Sequence, residues 1–72
     1  GPLPPPTPAP PPTDDQNRAL DMIAIIEVVE SLEALQLIWE SIQPHFKKMP
    51  NAERVDVTMA KDKRKTALSQ KK

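Results

Sequence analysis

Ser41 and His45 are the one pair in this chain whose types and spacing suggest nucleophilic chemistry. They stand four residues apart, a single helical turn at which two side chains can meet. His45 is the only histidine, and histidine is the commonest general base. No carboxylate is placed by the sequence to orient its ring, and Pro44 disturbs the backbone between the two. Asp14, Asp15 and Asp21 are the nearest approach to a metal-ligand cluster. They lack the alternating acids and central glycine of a calcium loop. Gly1 is the sole glycine, so a glycine-rich phosphate loop is excluded. There is no cysteine, hence no disulfide framework and no thiolate metal site. The sequence therefore predicts a non-catalytic protein without a cofactor or bound metal.

What remains is binding chemistry. Lys61, Lys63, Arg64, Lys65, Lys71 and Lys72 form the densest basic cluster. It reads as a solvated helix end, since cations favour the negative end of the macrodipole. It reads equally as a surface for an acidic peptide or for nucleic acid, the latter through counterion release. Trp39 and Phe46 are the only aromatics, and they share a helical face with Leu35 and Ile42. That places them in a core, with Trp39 expected to lie largely buried against the first helix near Ile23 and Ile26. A hydrophobic docking groove is the other use of such a tryptophan. A base-stacking platform would need exposed aromatics interleaved with basic residues, which the chain does not have.

The elements that position these groups begin with an abrupt boundary. Eight of the first twelve residues are proline, and only Pro44 and Pro50 follow. Proline fixes φ and removes the amide donor, so residues 2–13 favour polyproline II and form neither helix nor ladder. The sequence predicts a disordered proline-rich linker over residues 1–13, about 35 Å long if fully extended. Its P-x-x-P spacings carry no adjacent basic residue to orient them in a proline-reading groove. The Gly1-Pro2 start reads as a protease scar ahead of a fragment of a longer protein.

Residues 14–72 are expected to form one small helical interaction domain. Asp14 and Asp15 are candidate N-caps for a first helix over 16–29, with Ala19, Met22, Ile23, Ile26 and Val29 on one stripe. The run MIAIIEVV has strand character, but no second strand exists to pair with it. Ser31 caps a second helix over 32–43, which Pro44 is expected to end or kink near Ile42 or Gln43. Asn51 is the candidate cap of a third helix over 52–69, with Ala52, Val55 and Met59 as its packing face. Its lysine-rich second half is expected to project or fray. The fold class is all-α: a small three-helix bundle, or a helical hairpin plus a third helix, behind the arm.

Composition sets further limits. About 57 residues follow the arm, enough to bury roughly 60% of the unfolded surface and no more than marginally stable. The longest apolar run, Met22 to Ile26, is five residues, far short of a bilayer span, and no signal peptide is visible. Formal net charge is zero, yet the halves are opposite poles. Residues 14–45 hold seven acids against Arg18, a net of −6; residues 46–72 hold nine bases against three acids, a net of +6. Such a split either pairs helices within the fold or offers a charged surface to a partner.

Residues 22–68, and in them the run SLEALQLIWESIQPHFKKMPNAERVDVTMAKDKRKTAL, resemble the short C-terminal modules of phage and prophage single-strand DNA annealing proteins of the Erf, RecT and Redβ kind. The likeness lies in a serine-led leucine helix carrying a tryptophan, a proline-containing turn, and the ending Lys61-Asp62-Lys63-Arg64-Lys65-Thr66-Ala67-Leu68. A preceding hydrophobic helix and a proline-rich linker fit the same pattern. The resemblance implies a protein-interaction domain of a DNA recombination protein, acting in the cytoplasm of a bacterial host cell. Its implied partners are a companion exonuclease or a single-strand DNA-binding protein, whose acidic tail ends in an aromatic residue. On that reading Lys61, Lys63, Arg64 and Lys65 face the acids, while Met59 and Leu68 receive the aromatic end. An accessory nucleic-acid-binding domain and a self-association bundle are the alternatives.

Overall fold

The structure, a computed structural model, describes residues 1–70 and contains three helices and no strand among them. The chain is all-α. Helix α1 spans Asp14–Val28, α2 Leu32–Phe46 and α3 Asn51–Ser69. Residues 1–13 form no helix or strand and are exposed throughout. At 1.5 Å per residue the longest helix measures about 28 Å. The 60 Å long dimension of the molecule therefore includes the arm.

The helix starts follow capping chemistry, though not always at the expected residue. Thr13, not Asp14 or Asp15, caps α1. Its hydroxyl accepts from the Gln16 amide at 3.1 Å, and the Gln16 side chain accepts from the Thr13 amide at 2.9 Å. This reciprocal box satisfies two orphan donors, and it frees Asp14 and Asp15 to sit in the first turn beside the positive end of the dipole. Ser31 caps α2 as expected, accepting from the Ala34 amide at 3.0 Å. Helix α3 starts one residue early: Pro50 occupies the cap position and Asn51 is the first helical residue, without a side-chain cap.

Helix α2 runs through Pro44 to Phe46 instead of ending near Ile42 or Gln43. Proline removes the amide that would bond the Glu40 carbonyl, but it lies two residues from the helix end. Beyond it the Lys47 amide bonds the Gln43 carbonyl at 3.0 Å, and tighter three-residue bonds from Lys48 and Met49 close the turn. The extra turn places Phe46 against the core.

Helix α3 packs chiefly on α1 and less on α2, while α1 and α2 touch little. Leu32 to Trp39 face Lys61 and Lys65, and Phe46 faces Asn51 to Met59, so α2 runs antiparallel to α3. Val29, just past the end of α1, meets Arg64 well along α3, so α1 and α3 run the same way. The buried core comprises Ala19, Met22 and Ile26 of α1, Leu35 of α2, Met49 of the turn, and Val57 and Leu68 of α3. Ile26 and Val57 are fully buried at its centre. Each contributes roughly 1.5–3 kcal/mol by leaving water.

The packing face of α3 differs from the expected one. Val55 is 46% exposed, Met59 is 65% exposed, and Ala52 faces solvent. The inward row is Val57, Ala60, Arg64 and Leu68, rotated about half a turn away. Leu68 is buried, so the second half of α3 packs and does not project. Trp39 is half-buried, and its nearest ring-scale neighbours are Phe46, at 4.9 Å between centroids, and Lys61 of α3. It packs against the edge of the buried core, whereas its spacing had suggested a largely buried ring.

Candidate docking surface on the third helix

Six residues of α3 were the expected contact set, and the helix sends them in three directions. Leu68 is 6% exposed and belongs to the core. It cannot receive a partner's aromatic ring, because the apolar face that buries it is already filled by this chain.

Met59, Lys63 and Arg64 line a groove between α1 and α3, of about 540 Å³, together with Ile23, Ala60 and Ala67. Glu27 and Asp56 stand on the same groove, so its charges are mixed. Arg64 is not free there. Its Nε and one terminal nitrogen donate to the Val29 carbonyl at 2.8 and 2.6 Å. That carbonyl closes α1, and its remaining need for a donor is met by a cation at the negative end of the helix dipole. Arg64 thus fastens α3 to the end of α1.

Lys61 and Lys65, four apart, line the opposite side. They border a groove of about 370 Å³ between α2 and α3, whose other walls are Leu32, Leu35, Gln36 and Trp39. No acid lines it. The Lys61 ammonium lies 4.9 Å from the Trp39 ring centroid, within cation–π range, and pairs with Asp62 at 2.7 Å. Trp39 is also braced by Phe46, with the rings tilted at 58°. The indole is thereby held in a defined position while part of it stays open. Lys65 is exposed and makes no ion pair among the described residues. The groove therefore offers apolar area and positive charge at one place. Spacing alone did not place Trp39 beside the lysines, because the relation depends on the α2–α3 crossing. Lys71 and Lys72 lie outside the described residues.

A third groove, of about 300 Å³, lies between Phe46 and the first half of α3, lined by Arg54, Val55, Thr58 and Met59. The buried Arg54 Nε has no hydrogen-bond partner. His45 is exposed, and the Ser41 hydroxyl donates to the Ile38 carbonyl at 2.8 Å, back along its own helix. No helix among the described residues is long and apolar enough to cross a membrane.

No family model matches the chain, and no curated protein or solved structure does either.

Proposed function

We propose that this chain is a non-catalytic protein-interaction domain that holds an acidic segment of a partner in the groove between α2 and α3. The single observation that supports this reading is the conjunction of Lys61 and Lys65 with Trp39, Leu32 and Leu35 around one acid-free groove. A tryptophan held in place with part of its ring open is a common centre of a binding hot spot. The lysines steer the acids of the segment, and the open parts of Trp39 and Leu32 receive an apolar or aromatic residue beside them, over the buried Leu35. Surface charge contacts are individually weak, so affinity is set near the micromolar range and falls as salt rises.

The resemblance to annealing-protein modules narrows the proposal. In that setting the partner is the acidic, aromatic-ended tail of a single-strand DNA-binding protein, or a companion exonuclease, and the proline-rich arm is a disordered linker to a recombination core. The compartment is then the cytoplasm of a bacterial host.

The test compares two ligands at one ionic strength. The chain is titrated with an acidic peptide ending in an aromatic residue and, separately, with single-stranded DNA. Saturable peptide binding that is lost in Lys61→Glu/Lys65→Glu, with little DNA binding, is expected. Tight DNA binding without peptide binding overturns the reading in favour of a nucleic-acid accessory domain. Silence in both leaves the lysines as a solvated helix end.

A further inference from the structure

Arg54 carries a charge that the fold leaves uncompensated. Its buried Nε has no hydrogen-bond partner, and it makes no ion pair among the described residues. Its helical neighbours three and four residues away are Pro50, Asn51, Val57 and Thr58, none of them acidic. The turn before α3 adds Lys47 and Lys48 and no acid. Glu53 and Asp56 are close in sequence, but neither lines the groove that Arg54 borders, and Asp56 belongs to the groove between α1 and α3. Apart from Arg54, Asn51 and Thr58, the Arg54 groove is apolar, walled by Phe46, Val55 and Met59. Buried donors inside a fold are seldom left unpaired, and a guanidinium has further donors on its terminal nitrogens that match a carboxylate.

This groove abuts the α2–α3 groove of the proposed site. Trp39 lines one and Phe46 the other, and the two rings lie 4.9 Å apart between centroids. Arg54, Thr58, Lys61 and Lys65 follow one another at spacings of four, three and four, a single stripe of α3 that borders both grooves. No acid lines either groove. Asp62 pairs with Lys61, and Glu40 accepts a hydrogen bond from Gln36 at 3.0 Å. Between Arg54 and Lys61 the helix rises about 10 Å, a distance that an extended peptide covers in about three residues.

We propose that the partner's acidic segment continues past the α2–α3 groove: residues upstream of its aromatic end cross the Trp39–Phe46 pair and place a carboxylate on Arg54, with an apolar residue against Phe46 and Val55. The proposal rests on the docking of an acidic segment beside Lys61 and Lys65. Charge complementarity selects the occupant, because a stripe of three cations runs along two grooves that no acid of this chain lines. The aromatic end lies toward Leu32 and the upstream residues toward the turn before α3, so the segment runs in the same direction as α3. Arg54 then fixes the length and polarity of what is bound, while Lys61 and Lys65 attract it.

Two peptides separate this proposal from the reading it rests on. The short one has an aromatic end and acids for Lys61 and Lys65 only. The long one adds about four residues at the N-terminus, some 13 Å of extended chain, including one acid and one apolar residue. The long peptide is expected to bind roughly tenfold more tightly, and replacing its added acid by the amide should cancel that gain. Arg54→Ala should remove the gain and leave the short peptide's affinity unchanged, with helicity by circular dichroism as the check on folding. Arg54→Lys keeps the charge without the fork and should retain part of the gain. Methyl shifts at Val55 and Thr58 should appear with the long peptide and not with the short one. A long peptide that binds no more tightly than the short one overturns this proposal alone, as does a gain that survives Arg54→Ala or the amide. A short peptide that fails to bind overturns the docking reading and this proposal with it.

Discussion

Arg64 reads in the sequence like one more member of a lysine run, and in the fold it is a cap. Two of its nitrogens converge on the Val29 carbonyl, while Lys63 beside it faces solvent. A hydrogen bond to a charged group is worth about 1.5–3 kcal/mol. Arg64→Ala should cost that much in urea unfolding, and Lys63→Ala should change stability by less than about 0.5 kcal/mol. Arg64→Lys keeps the charge but loses the fork, so it should recover only part of the loss. Equal costs at 63 and 64 would contradict the capping role. Trp39 follows similar logic. A fully buried aromatic costs about 3–5 kcal/mol on truncation. Trp39 is half-buried, so Trp39→Ala should cost less than that and leave a folded chain. A fully unfolded Trp39→Ala would show the ring to be core, not groove wall.

At the scale of elements, the helices were legible because their signals are local. Ser31 followed by a leucine stripe fixes the start of α2, and the abrupt loss of proline fixes the start of α1 to within two residues. Thr13 was missed because it closes the proline arm and reads as part of it. The face of α3 was not legible. Val55 and Met59 stand four apart, and so do Val57 and Lys61, with Ala60, Arg64 and Leu68 completing the second row. A helix with so few apolar residues has no dominant stripe, and only contact with α1 decides which row turns inward. Val57→Ala should therefore destabilise by about 1–3 kcal/mol, as loss of buried methyl groups does. Val55→Ala should cost far less; denaturant midpoints of the two variants check this. Pro44 gives a prediction of opposite sign. Proline costs about 3 kcal/mol in a helix interior, and less near an end. Pro44→Ala should restore the amide bond to Glu40 and raise the melting temperature.

For the molecule as a whole, the split of charge is the feature that the sequence displayed and did not explain. The −6 and +6 halves left two readings open, helices held together by ion pairs or a charged surface for a partner. The fold instead joins α1 to α3 through Ile26, Val57 and Leu68, and the one described ion pair links adjacent residues. Stability should accordingly change little between about 0.05 and 0.5 M salt, because screening acts on exposed charges that carry little of it. The same range should weaken binding at the lysines. Residues 1–12 make no buried contact, so their removal should leave the unfolding midpoint unchanged, provided Thr13 is kept as the cap of α1. The candidate site was legible as a set of lysines but not as a place. Its apolar half, Leu32, Leu35 and Trp39, comes from α2 and is joined to Lys61 and Lys65 only by the crossing of α2 over α3.

The central claim is that an acidic segment is held in the α2–α3 groove, and its most direct test is a map of where such a segment touches. An acidic, aromatic-ended peptide is titrated into isotopically labelled chain, and amide, methyl and indole N–H shifts are followed. The largest saturable shifts are expected at the Trp39 indole and at Leu32, Gln36 and Lys65, with Val55 and Ala67 undisturbed. Shifts centred on Met59, Lys63 and Ala67 would place the partner between α1 and α3 and contradict the account. A peptide that leaves the Trp39 indole unmoved at saturation would do the same.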